Sequence, residues 1–75
     1  MNRYIDEQAL KPFHAKLAML PARVNGPAGA VLKARVHDAM HALYEAQNAD
    51  TFDATLQWLQ YAHKQLDIAE RALTS

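Results

Sequence analysis

Hydrophobic residues recur along this chain mostly every three or four positions, which is the spacing of an amphipathic helix. Three segments show the pattern, at about residues 5–20, 28–48 and 51–73. Their apolar stripes are Ile5, Ala9, Phe13, Leu17 and Leu20 in the first, Leu32, Val36, Ala39, Leu43 and Ala46 in the second, and Phe52, Leu59, Leu66 and Leu73 in the third. The sequence therefore predicts an all-α fold of three helices.

Prolines and glycines mark the breaks between these segments. Residues 21–29 hold two prolines and both glycines and are predicted to form the main loop. The second break is short, and Asp50 or Thr51 can cap the helix that follows it. This short connection predicts a long antiparallel hairpin of the second and third helices, with the shorter first helix beside it. Pro12 interrupts the first stripe and either kinks that helix or begins a new one.

The third segment carries more apolar surface than a small bundle needs. Beside its first stripe runs a second one, so that the apolar arc covers more than half of the helix circumference. One interpretation is a face for protein binding or self-association, since Trp and Tyr are enriched among binding hot spots. The other is that the first helix folds across this arc and buries it. The predicted binding residues are Trp58, Tyr61, Ile68, Met40 and Tyr44.

The length of 75 residues predicts a single domain over residues 1–75 with a small core. The chain has no cysteine, so a disulfide cannot support that core. A homodimeric bundle is the common remedy, and we expect one here. Neither a targeting segment nor a membrane span is visible in the sequence, and we expect a cytoplasmic protein without a membrane partner.

The charges balance to zero, which argues against a general nucleic-acid binder. Residues 1–35 nevertheless carry a net charge of +4, and residues 36–75 a net charge of −4. The simplest interpretation is attraction between the two halves, within one fold or between two copies. The alternative is that Arg23, Lys33 and Arg35 hold a phosphate-bearing ligand such as a nucleotide at the loop and helix start of residues 21–35. No known phosphate-binding motif is present there.

Residues with catalytic or metal-binding chemistry are few. His37 and His41 lie four positions apart and share a helix face, which suits two zinc ligands, and Glu45 continues the row. We interpret this row as a solvated polar face and expect neither a metal nor a cofactor. The chain lacks a cysteine nucleophile, its serine is Ser75, and no paired carboxylates suggest a catalytic site. We therefore expect a protein that is not an enzyme.

The size, the helical pattern and the aromatic start of the last helix, Trp58-Leu59-Gln60-Tyr61-Ala62, support one comparison. In these features the chain resembles the small all-helical proteins of bacteriophages and mobile elements that block host proteins or sequester signalling nucleotides. The resemblance implies a small inhibitor or regulator that binds another protein through its helical surface. Nucleotide binding at residues 21–35 and a structural subunit are the alternatives.

Overall fold

A computed structural model describes residues 4–21 and 23–74, and these form three helices with no strand among them. Helix α1 spans Glu7–Met19, α2 spans Pro27–Asn48 and α3 spans Phe52–Thr74. The all-α class and the three predicted helices are thus confirmed, with each boundary within two residues of its expected position. None of the helices in the described part of the chain combines the length and apolarity that a membrane crossing needs.

Helix α1 begins at a side-chain cap and passes through its proline. The backbone N–H of Ala9 donates a hydrogen bond of 2.9 Å to the Asp6 carboxylate, which satisfies one of the free donors of the first turn. Pro12 lies inside the helix, so it does not begin one. Because Pro12 has no N–H, the carbonyl of Gln8 loses its usual helical donor.

The other two helices begin with different capping arrangements. Gly26 precedes α2 with a φ of 80°, a conformation that glycine adopts readily, and Pro27 then occupies the first helical position. Helix α3 is capped by Thr51, whose hydroxyl accepts a hydrogen bond of 3.1 Å from the N–H of Ala54. Of the two predicted caps, Thr51 fills the position, and Asp50 is exposed beside it.

The core lies where the three helices meet. Four alanines of the core, Ala39, Ala42 and Ala46 of α2 and Ala62 of α3, have no exposed surface, so the two backbones pack closely. Phe13 and Leu66 are fully buried beside them. The buried cluster consists of Ile5, Leu10, Phe13, Ala39, Ala42, Leu43, Ala46, Ala62 and Leu66.

Helix α1 covers one side of α3. The Phe13 ring lies on the imidazole of His63, with 4.1 Å between ring centroids. One turn further on, Lys16 forms an ion pair of 3.0 Å with Asp67. Helix α1 therefore covers the side of α3 that carries His63 and Asp67, while Tyr61 stays exposed.

The heptad stripe of α3 is only partly buried, which departs from the expectation. Leu66 is fully buried, but Phe52 and its neighbour Leu56 are 55% and 41% exposed. These residues belong to the first turns of α3, where Tyr4 reaches across, with 5.8 Å between the Tyr4 and Phe52 rings. Periodicity identifies the face, but it cannot show how far along the helix that face is covered.

Candidate functional site

Aromatic side chains of α2 and α3 form one continuous surface, which we call the aromatic surface: His41, Tyr44, Trp58 and Tyr61. The rings of His41 and Trp58 meet edge to face at 6.2 Å, and those of Trp58 and Tyr61 at 6.1 Å. Tyr44 follows His41 by one turn on the same helix face. Tyr44 and Tyr61 are 64% and 43% exposed, whereas Trp58 is half-buried and packs against the core.

The other two residues predicted for protein binding lie elsewhere. Met40 is exposed and lines a groove between α2 and the loop after α1, although it lies only one turn before Tyr44 on α2. Ile68 is half-buried in a shallow depression of α3 beside Lys64 and Arg71. The structure thus brings together three of the five predicted residues, and Trp58 supports that surface from below rather than projecting from it.

The groove beside Met40 has a volume of about 760 Å³. It lies between the end of α1, the loop after it and the first turns of α2. We call it the basic groove. Its floor is apolar, its edge carries three basic side chains, and none of its lining residues has a carboxylate. The floor residues are Leu17, Leu20, Leu32, Val36 and Met40, and the basic ones are Arg23, Lys33 and His37.

Gly29 fixes the loop against α2 and so shapes this groove. A Cβ built on Gly29 would overlap the carbonyl oxygen of Val24 and lie 2.7 Å from its carbonyl carbon. Both atoms belong to the backbone, which cannot rotate away as a side chain can. Only glycine therefore lets the loop lie directly on the first turn of the helix.

Arg35 was grouped with Arg23 and Lys33 in the sequence, but the structure separates it from the groove. Its guanidinium donates a hydrogen bond of 2.8 Å to the amide oxygen of Gln65 and lies 3.6 Å from Asp38. Gln65 is only 4% exposed, so this bond satisfies a polar group that burial would otherwise penalise. Arg35 joins α2 to α3 and is not available to a ligand in the groove.

The sequence interpretation missed Gln65 as a partner. Its signal was a polar residue within the apolar arc of α3, next to Leu66.

The histidine row on α2 lies beside carboxylates of its own helix. His37 approaches Asp38 at 4.0 Å, and His41 approaches Glu45 at 3.8 Å. Within residues 4–21 and 23–74, no three histidine, aspartate or glutamate side chains come close enough together to hold a metal ion.

A second charged region lies at the start of α3, and the sequence interpretation did not identify it as a site. Phe52 and Leu56 are exposed there, flanked by the exposed carboxylates of Asp50 and Asp53. The contact of Tyr4 with Phe52 also brings the start of α1, which carries Asp6 and Glu7, to this place. We call this region the acidic end: Asp6, Glu7, Asp50, Phe52, Asp53 and Leu56.

One carboxylate has a clearly shifted pKa. The Lys16 ammonium donates a hydrogen bond to Asp67 and adds its positive charge, and together these lower the pKa of that carboxyl below its ordinary value. Both side chains are partly exposed, so the pair contributes modestly to stability. Its consequence is structural, because it ties the end of α1 to the second half of α3.

Comparison of the chain with protein-family models, with curated proteins and with solved structures gives no match. The resemblance to small phage and mobile-element proteins therefore stays a prediction.

Proposed function

We propose that this chain is a non-enzymatic protein-binding module, a small inhibitor or regulator of another protein, that acts through the aromatic surface. The observation that carries the proposal is the exposure of Tyr44 and Tyr61 around a half-buried Trp58. Tyrosine offers a large contact area with few rotatable bonds, which keeps the entropic cost of binding low. The edge-to-face ring contacts hold Trp58 and Tyr61 in one arrangement before a partner arrives.

The base for this surface is an antiparallel pairing of α2 and α3. Two contacts support that arrangement: Arg35 bonds Gln65, and His41 meets Trp58. As residue numbers rise along α2, those of the partners fall along α3. Side chains that lie on two packed helices need less ordering on binding than side chains on a loop.

The wider parts of the proposal follow the resemblance given above. The target would be a host protein, the location cytoplasmic, and the chain itself a homodimer. Support for the dimer is the number of large apolar side chains left exposed on so small a chain.

The test uses the two exposed tyrosines, because Trp58→Ala would also damage the core. The chain and its Tyr44→Ala/Tyr61→Ala variant are each immobilised and offered the same cell extract. A protein retained by the first and not by the second is then purified and titrated directly. We expect the double variant to bind it at least about tenfold more weakly.

Met19→Ala is the matched control for this experiment, since Met19 is 85% exposed and lies outside the aromatic surface. This variant should bind as the unchanged chain does. If the tyrosine variant binds the purified partner with unchanged affinity, the aromatic surface is not the binding site and the proposal fails.

A second candidate function is binding of a phosphate-bearing small molecule in the basic groove. The observation in its favour is that two of the three predicted cations, Arg23 and Lys33, line the groove over an apolar floor. It ranks second because no phenylalanine, tyrosine or tryptophan is among the described lining residues of the groove, and His37 alone offers a ring on which a nucleobase could stack. Calorimetric titration with nucleotides tests it, and Arg23→Glu/Lys33→Glu should abolish any heat of binding.

A further inference from the structure

We propose that the basic groove of one copy receives the acidic end of a second copy, and that two such contacts join a closed antiparallel dimer. This inference deepens the homodimer part of the proposed function. It assigns the dimer contact to the two ends of the molecule, whereas the sequence suggested the wide arc of α3. The aromatic surface then stays free for a foreign protein.

The first step is that the basic groove lacks its counter-charges. Within the described residues, neither Arg23 nor Lys33 takes part in an ion pair. The floor beneath them is apolar and open to solvent. An occupant of matching chemistry would bring apolar side chains flanked by carboxylates.

The second step is that the acidic end has this chemistry. Phe52 and Leu56 lie one turn apart on the same helix and are both exposed. Asp50 and Asp53 flank them, and neither forms an ion pair within the part of the chain that the structure describes. Thr51 already caps α3, so the carboxylate of Asp50 is not needed for that purpose.

The third step is that one chain cannot bring these two regions together. The bond between Arg35 and Gln65 places the start of α2 beside the second half of α3. The acidic end lies at the start of α3, roughly 20 Å away from Gln65 along a helix that rises about 1.5 Å per residue. In a molecule 39 Å long and 18 Å wide, the basic groove and the acidic end therefore lie toward opposite ends.

The fourth step is symmetry. When a second copy lies antiparallel to the first, each groove faces the acidic end of the other, and the same contact forms twice. The pairing also reconciles the net charges of +4 and −4 in the two halves of the sequence. Within one copy, two ion pairs among the described residues join these halves: Lys16 with Asp67, and Arg35 with Asp38. Arg23 and Lys33 take part in neither pair and stay available to a second copy.

Sedimentation equilibrium over a concentration series tests the proposal by charge reversal. We expect a dimer whose dissociation constant rises with salt, because the contact is electrostatic and exposed at its edge. The groove variant Arg23→Glu/Lys33→Glu and the end variant Asp50→Lys/Asp53→Lys should each weaken the dimer at least about tenfold. Circular dichroism of each variant confirms that it folds.

Restoration separates a direct contact from a general effect of charge. In an equimolar mixture, one copy of each variant can form a heterodimer. The reversed groove of the groove variant then meets the reversed end of the end variant, and the unchanged groove of the end variant meets the unchanged end of the groove variant. The mixture should therefore dimerise, and so should one chain carrying all four changes. The control Lys11→Glu/Lys64→Glu alters two exposed lysines outside both regions and should leave the dissociation constant unchanged.

Several results would overturn the inference. These are a monomer at all concentrations, reversal variants that dimerise normally, a mixture that stays monomeric, or a mass that rises without limit as an open chain would. Loss of the dimer in Tyr44→Ala/Tyr61→Ala, with the charge variants unaffected, would place the contact on the aromatic surface instead. None of the first four results touches the binding of a foreign protein, which the tyrosine variant tests on its own.

Discussion

Replacement of Gly29 gives the sharpest test of the structure, because two physical effects predict opposite changes in the free energy of unfolding. Gly29 lies in the first turn of α2, and replacing a helical glycine by alanine ordinarily stabilises a helix by about 1 kcal/mol. The structure predicts the reverse for Gly29→Ala. A methyl group at this position would overlap the carbonyl of Val24, which belongs to the loop that forms one wall of the basic groove.

The size of the effect follows from what has to move. The new Cβ would lie 2.7 Å from the carbonyl carbon of Val24. Since carbon atoms pack at about 3.5–4.0 Å, the loop backbone must shift by roughly 1 Å or the first helical turn must open. Overpacking of this kind typically costs about 1–3 kcal/mol, and the overlap with backbone atoms places Gly29→Ala in the upper part of that range, at about 2–3 kcal/mol. The gain of about 1 kcal/mol in helix propensity offsets only part of this cost. In a chain of this size, a net loss of 1–2 kcal/mol lowers Tm by roughly 5–15 °C.

Thermal and urea unfolding followed by circular dichroism measure this loss. Ala30→Gly is the matched control, since Ala30 is the exposed neighbour in the same turn. Propensity alone predicts that Gly29→Ala stabilises and Ala30→Gly destabilises, whereas the structure predicts that both destabilise. An alanine variant at position 29 that is as stable as the unchanged chain, or more so, would refute the packing of the loop on α2.

Two further changes test the cap at the start of α3 and the attachment of α1 to α3. Thr51→Ala removes the hydroxyl that accepts from Ala54 and should cost about 1 kcal/mol by urea unfolding, whereas Asp50→Ala should cost little; equal losses would show that both residues cap the helix. Lys16 lowers the pKa of Asp67 in the folded protein relative to the unfolded chain, where it is about 3.9. The ion pair therefore stabilises the fold fully above that unfolded pKa. Its contribution is lost as the pH falls through the lower pKa of the folded protein. Lys16→Met should therefore lower the urea midpoint at pH 6 and converge with the unchanged chain at pH 2, with Lys11→Met as control; a constant difference across this range would contradict the ion pair.

The helices were predictable because their signals are local. Spacing of apolar residues set the three segments, and the caps at their starts come from residue types that favour such positions. Pro12 was open in the sequence because its effect depends on neighbours that are distant along the chain. In the structure, Leu10 and Phe13 of α1 are both buried in the same core, on either side of Pro12. Burial of side chains before and after the proline stabilises the helix across it.

The candidate sites were less predictable, because they depend on which helix covers which face. The structure places Arg23 and Lys33 beside one groove, whereas Arg35 turns away to Gln65, which the run of basic residues in 21–35 could not show. The aromatic residues were identified by type. Which of the predicted residues contact each other, as Trp58 and Tyr61 do, and which line a groove, as Met40 does, follows from the packing of α2 against α3 and the loop.

The exposure of Phe52 and Leu56 connects the size of the chain to its proposed assembly. Helix α1 spans 13 residues against 23 in α3, so it cannot cover the whole length of the apolar arc. Moving α1 toward the start of α3 would cover Phe52, but it would break the contacts of Phe13 with His63 and of Lys16 with Asp67. In the proposed dimer, a second copy would cover the remainder without that loss, and the carboxylates beside Phe52 would then determine which part of the second copy fits.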